Sequence, residues 1–145
     1  MAFKFVVFAA LCTAFVQADS ESPLARKLTS FVDKCKADLS SPPEAVALVR
    51  SKAVPTDEKQ RCLLECVYKS MDIIKDNKFD ANAAKALAKE RFEGNQLSKA
   101  EHAIETCEKE LVAVDSSAET CALGKIVRAC FTKNADESLP NLLAP

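Results

Sequence analysis

Seven cysteines in a chain of 145 residues, set against only two glycines, constrain this sequence more than any other feature. The first, Cys12, lies in residues 1–18, MAFKFVVFAALCTAFVQA. Lys4 supplies a short positive start, Phe5 to Val16 is apolar apart from Thr13, and Val16 and Ala18 stand three and one places before Asp19. That is the pattern of a secretory signal peptide cleaved after residue 18. The apolar run is about 12 residues, whereas a membrane span needs roughly 20, so no span is expected here or later in the chain. Removing the segment leaves residues 19–145 as one domain with six cysteines, Cys35, Cys62, Cys66, Cys107, Cys121 and Cys130. An even number in a chain bound for an oxidising compartment reads as three disulfides, with fifteen connectivities open on count alone. A zinc site would need a second closely spaced pair beside Cys62 and Cys66, and none exists, so no metal and no cofactor is expected.

Charge and composition remove other classes. With 20 basic and 21 acidic residues the net charge is −1, and it becomes −2 once Lys4 leaves with the leader. A nucleic-acid binder needs a concentrated basic footprint, which is absent. A hydrophobic share of 48% is too high for disorder. Two glycines disfavour a sheet protein of many tight turns and any glycine-rich phosphate cradle.

The patterning predicts an all-α domain of six helices, with strands improbable. Ser22–Pro23 opens the first, where Leu24, Leu28, Phe31, Val32 and Cys35 form one stripe. Pro42–Pro43 start a short second helix, and residues 52–55 are a linker. Thr56 or Asp57 caps a third helix reaching about Lys75, followed by a connection that holds Phe79. Asp80 caps the alanine-rich fourth, with Gly94 as its left-handed C-cap. Ser98 with Glu101, and Ser116 with Glu119, read as capping boxes for a fifth helix to about Val114 and a sixth to about Thr132. Residues 133–145 read as an extended tail.

Helical geometry limits the disulfides. Cys62 and Cys66 lie one turn apart on one face with nearly parallel Cβ vectors, so they do not bond to each other. Cys121 and Cys130 face opposite sides of the sixth helix and do not bond either. The third and sixth helices also carry apolar arcs wider than a simple bundle requires. Such arcs fit two situations, deep burial or a wall shared between core and cavity.

The spacing Cys35-x26-Cys62-x3-Cys66-x40-Cys107-x13-Cys121-x8-Cys130 resembles the six-cysteine signature of the insect odorant-binding proteins, the pheromone and general odorant-binding family. The x3 and x8 gaps are its most constrained elements. The resemblance implies a compact six-helix fold around an apolar cavity and the pairing Cys35–Cys66, Cys62–Cys121 and Cys107–Cys130. It also implies a secreted, extracellular carrier of small hydrophobic ligands such as odorants, pheromones or lipids. A receptor or a weak homodimer is a further partner to consider.

The residues expected to line such a cavity are Leu28 and Phe31, then Leu63, Val67, Met71 and Ile74, then Phe79, Ala88 and Phe92. Ile104, Leu111, Leu123, Ile126, Val127, Phe131 and Leu142 complete the set. Tyr68 borders the third helix's apolar arc and is expected to face solvent. Leu139, Leu142 and Leu143 stand out in a polar tail, where they read either as a lid or as part of a free terminus. No enzyme is expected. His102 is the only histidine, on a charged helix face, and no HExxH, GxSxG or P-loop occurs. The alternative to a carrier is a secreted interaction protein with a filled cavity that acts through its surface.

Overall fold

A computed structural model describes residues 22–144. The expected leader, residues 1–18, and the start of the domain up to residue 21 lie outside these. Among the described residues the elements are α1 (Pro23–Leu39), α2 (Pro43–Arg50), α3 (Glu58–Ser70), β1 (Ile74–Lys75), β2 (Lys78–Phe79), α4 (Ala81–Arg91), α5 (Gly94–Glu110) and α6 (Ala122–Asn134). Over the described residues the fold is all-α apart from one hairpin of two two-residue strands.

Local chemistry sets most boundaries. Ser22 accepts a hydrogen bond from the Ala25 amide, and Pro23 takes the first helical position of α1, where its missing N–H costs nothing. Asp57 caps α3 through the Gln60 amide, and Asp80 caps α4 through the Ala83 amide. At its other end α1 closes through Ser40 in the left-handed region, φ 50°, while the Ser41 amide reaches back to the Lys36 carbonyl.

Other boundaries depart from the sequence reading. Helix α3 stops at Ser70 rather than near Lys75. Asp76 and Asn77 both take positive φ, 51° and 57°, and turn the chain so that Ile74 pairs with Phe79 and Lys75 with Lys78. Two successive positive φ values are those of a type I′ turn, which suits tight hairpins, and Asp and Asn tolerate them. Gly94 is left-handed, φ 54°, yet it opens α5 instead of closing α4. Ser98 and Glu101 therefore lie inside α5, and the Ser98 hydroxyl donates back to the Gly94 carbonyl. Ser116 and Glu119 sit in irregular chain, and α6 starts only after Cys121, itself at φ 57°.

Helix α3 is the hub. It packs against α1, α2 and α6, while α4 lies on α5 and α5 on α6. Leu63, Leu64 and Val67 of α3 are completely buried, as are Val49, Ile73, Ala84, Ala88 and Val127 around them. Three disulfides join this frame, Cys35–Cys66 between α1 and α3, Cys62–Cys121 between α3 and the start of α6, and Cys107–Cys130 between α5 and α6. These are the pairs that the six-cysteine resemblance implies.

Candidate functional site

Small residues on α5 leave a hollow between that helix, α6 and the tail. Ala100, Ala103 and Ile104 recur at three- and four-residue steps and present one face of α5. Opposite them α6 contributes Arg128, Phe131, Thr132 and, just past its end, Ala135. Phe92, at the end of α4, closes one side, and Leu139, Pro140 and Leu142 of the tail cover another. The hollow has a volume of about 300 Å³. Phe131 is held in place by edge-to-face contacts with Tyr68 and Phe79, at centroid distances of 6.3 and 5.7 Å.

The remaining lining is polar and concentrated at one end, in Lys52, Arg128, Thr132, Glu137 and Asn141. That end is organised by the C-terminus of α2, whose last carbonyls have no partners within their own helix. Arg128, only 2% exposed, reaches from α6 to supply them. Its Nη1 donates to the carbonyls of Leu48, Ser51 and Ala53, and its Nη2 to that of Val49 at 2.9 Å. Its Nε donates to the Tyr68 hydroxyl at 3.2 Å. A cation at the negative end of a helix is favourably placed, and these carbonyls take over the role of water around it. Asn141 of the tail donates to the same Val49 and Ser51 carbonyls, so α6 and the tail are moored at one point. Tyr68 is thus 1% exposed and inside the core, not toward solvent as its helical angle suggests.

The tail folds over the hollow. Leu139 and Leu143 are 5% and 2% exposed. The Lys52 ammonium donates to the Glu137 carbonyl at 2.9 Å, and Lys99 of α5 pairs with Asp136 at 3.1 Å and donates to Ser138. The Asp136 carboxylate also accepts the hydroxyl and amide of Ser138. Those two bonds, and then Lys99, favour the charged form and lower its pKa to about 2.

Of the residues expected at a cavity, Phe92, Ile104, Phe131 and Leu142 are brought together here. Leu28, Leu63, Val67, Ile74, Ala88, Leu123 and Val127 belong to the packed core instead, and Met71, Phe79 and Leu111 lie half-buried against it. Phe31 and Ile126 are half-buried outside that cluster, with Lys27 over the Phe31 ring. Sequence reasoning did not single out Ala100, Ala103, Arg128, Thr132 or Asn141. The available signals were two alanines on the inward face of α5 and a lone arginine inside the apolar run of α6. His102 is exposed on α5 and does not line the hollow. Among the described residues no cluster of His, Cys, Asp and Glu could hold a metal ion, and no helix is long and apolar enough to cross a membrane.

A second, more open depression of about 470 Å³ runs over Leu39, Cys62, Glu65, Cys66, Lys69, Ser70 and Cys121. Its apolar wall is one leucine and disulfide cysteines, and it lies open to solvent beside Glu65 and Lys69. The hollow under the tail is walled by five separate segments, is less open, and is the better site.

The chain is similar to known proteins in sequence pattern and in fold. The family model described as the PBP/GOBP family matches residues 17–134. An odorant-binding protein of Drosophila melanogaster is similar in structure, with a TM-score of 0.61 and 21% sequence identity over 75% of this chain and 89% of that one. No match was found among curated protein sequences.

Proposed function

The chain belongs to the PBP/GOBP family, and from that premise we propose that it is a secreted, non-enzymatic carrier that holds a small hydrophobic ligand non-covalently beneath its C-terminal tail. The observation that carries this reading is the hollow of about 300 Å³ walled by Phe92, Ala100, Ala103, Ile104, Phe131 and Leu142. A volume of this size is at the lower end for small-molecule sites, and its predominantly apolar wall with a few polar groups at one end is their usual chemistry. An empty apolar hollow forfeits packing contacts. The three cross-links and the moored tail supply rigidity that offsets this loss. Secretion follows from the leader pattern of residues 1–18 and agrees with disulfide use.

The test is displacement of a fluorescent lipophilic probe from protein first stripped of carried-over lipid. Saturable binding at micromolar or tighter Kd, reversed by apolar competitors, is the expected result. An absence of saturable binding would remove the carrier reading. The competing reading, action through the surface on a receptor or partner protein, is supported by Val112, 82% exposed, and Val114, 39% exposed, in the chain between α5 and α6. Two exposed valines are a small patch, and the walled hollow is the stronger observation.

A further inference from the structure

We propose that the cavity takes an apolar chain that ends in a carboxylate, with the carboxylate at the Arg128–Lys52 end and the chain along Ala100, Ala103, Ile104 and Phe92. This names the ligand class of the carrier site and rests on the carrier reading.

Arg128 carries a full charge in a position 2% exposed, and among the described residues no carboxylate lies within ion-pair distance of it. Buried cations are ordinarily paired with anions. Among the described residues the compensation comes from carbonyl dipoles and one hydroxyl, and the dipole of a helix end is equivalent to about half a charge. The hydrogen-bond count leaves room as well. A guanidinium has five N–H donors. Nε is engaged by Tyr68 and Nη1 by three carbonyls, but among the described residues Nη2 has a single acceptor, which leaves one of its hydrogens open.

The same residue is part of the cavity wall, as is Lys52, whose ammonium donates to the carbonyl of Glu137 in that wall. The one carboxylate in the wall is that of Glu137, an exposed residue, so the polar end carries two cations against one anion. The negative end of α2 would by itself repel an anionic head. The guanidinium and the Asn141 amide cover its carbonyls and reverse that sign at the cavity surface. An alcohol or aldehyde could accept one hydrogen bond at this end. A carboxylate would accept charge-assisted bonds, which are roughly twice as strong as neutral ones.

The experiment compares decanoate with decan-1-ol as competitors of a neutral fluorescent probe at pH 8, on lipid-stripped protein. Decanoate is expected to bind at least tenfold more tightly. In Lys52→Met the ratio should fall two- to threefold, and in Arg128→Gln it should approach one. Because Arg128 also caps α2, its variant is read only if it melts cooperatively. The wild-type protein supplies a readout that needs no substitution, since the Nε–H resonance of Arg128 should shift on saturation with decanoate and much less with decan-1-ol. If decan-1-ol binds as tightly as decanoate, or the Arg128 resonance does not respond, the carrier stands and the carboxylate inference falls. If no apolar probe or chain binds at all, both readings fall.

Discussion

Gly124 marks the closest approach of α6 to α3. A Cβ built on it would lie 2.2 Å from the Arg61 carbonyl oxygen and 2.9 Å from the Glu65 amide nitrogen. Both neighbours are backbone, so no side chain can swing aside and the helices themselves must separate. Alanine gains about 1 kcal/mol over glycine in helix propensity, but overpacking a fixed contact costs about 1–3 kcal/mol and more when backbone must move. The clash should win. Gly124→Ala is expected to lose about 1–2 kcal/mol of net stability in urea unfolding with the disulfides intact. A variant as stable as the parent would show that α3 and α6 can separate to admit a methyl group at little cost. The chain has only two glycines, so each position needed a reason, yet nothing local says that Gly124 faces another backbone. Tyr68 teaches the same lesson. Its wheel angle at the edge of an apolar arc pointed to water, and only the arrival of Arg128 from sixty residues away makes the interior hospitable to its hydroxyl.

The helix starts that were legible carry a local signal, a side-chain cap at Ser22 for α1, Asp57 for α3 and Asp80 for α4, or the Pro42–Pro43 pair for α2. Most of those misread are set by left-handed residues, at Asp72 after α3, Asp76–Asn77, Gly94 and Cys121, where the chain turns because of what it must meet afterwards, while α5 stops at Glu110 rather than near Val114 without one. The tail belongs to this class. Its leucines were legible as apolar, but their destination depended on Asn141 finding the α2 carbonyls. Whether acid would release this tail depends on Asp136. Its folded pKa is lowered to about 2, below the ordinary carboxylate value near 4. A depressed carboxylate contributes its stabilisation above the unfolded pKa and loses it as pH falls toward the folded one. The Lys99–Asp136–Ser138 contact should therefore hold through mildly acid conditions and weaken only below about pH 4. Affinity for a neutral probe is expected to stay flat between pH 7.5 and 5, in wild type and in His102→Ala alike, in titrations at half-unit steps. A sharp loss by pH 6 would mean that another group holds the tail.

Across the whole molecule, wide apolar arcs and small residues answered different questions. The arc on α3 marked the hub, where Leu63, Leu64 and Val67 are fully buried, and the hub is solid because helices pack on it from several sides. Space occurs instead where alanines of α5 face α6, and periodicity alone does not tell an alanine that permits close approach from one that leaves room. This division makes the three disulfides unequal in function though similar in stability. The sequence separations are 31 for Cys35–Cys66 and 23 for Cys107–Cys130. In the chain-entropy account loops of those lengths contribute on the order of 3–4 kcal/mol each, with a difference of only a few tenths. Cys35–Cys66 ties α1 to the packed side of α3. Cys107–Cys130 ties α5 to α6, the two helices that carry Ala103, Ile104, Phe131 and Thr132 of the cavity wall. Replacing both cysteines of either pair by alanine should therefore lower stability by a similar amount, about 3 kcal/mol. Probe affinity, measured well below both melting temperatures, should fall at least fivefold when Cys107–Cys130 is removed and less than twofold when Cys35–Cys66 is removed. Equal losses of affinity in the two variants would mean that the ligand reads the rigidity of the entire frame and not the spacing of α5 and α6. A larger loss in the Cys35–Cys66 variant would move the site away from the tail and toward α1.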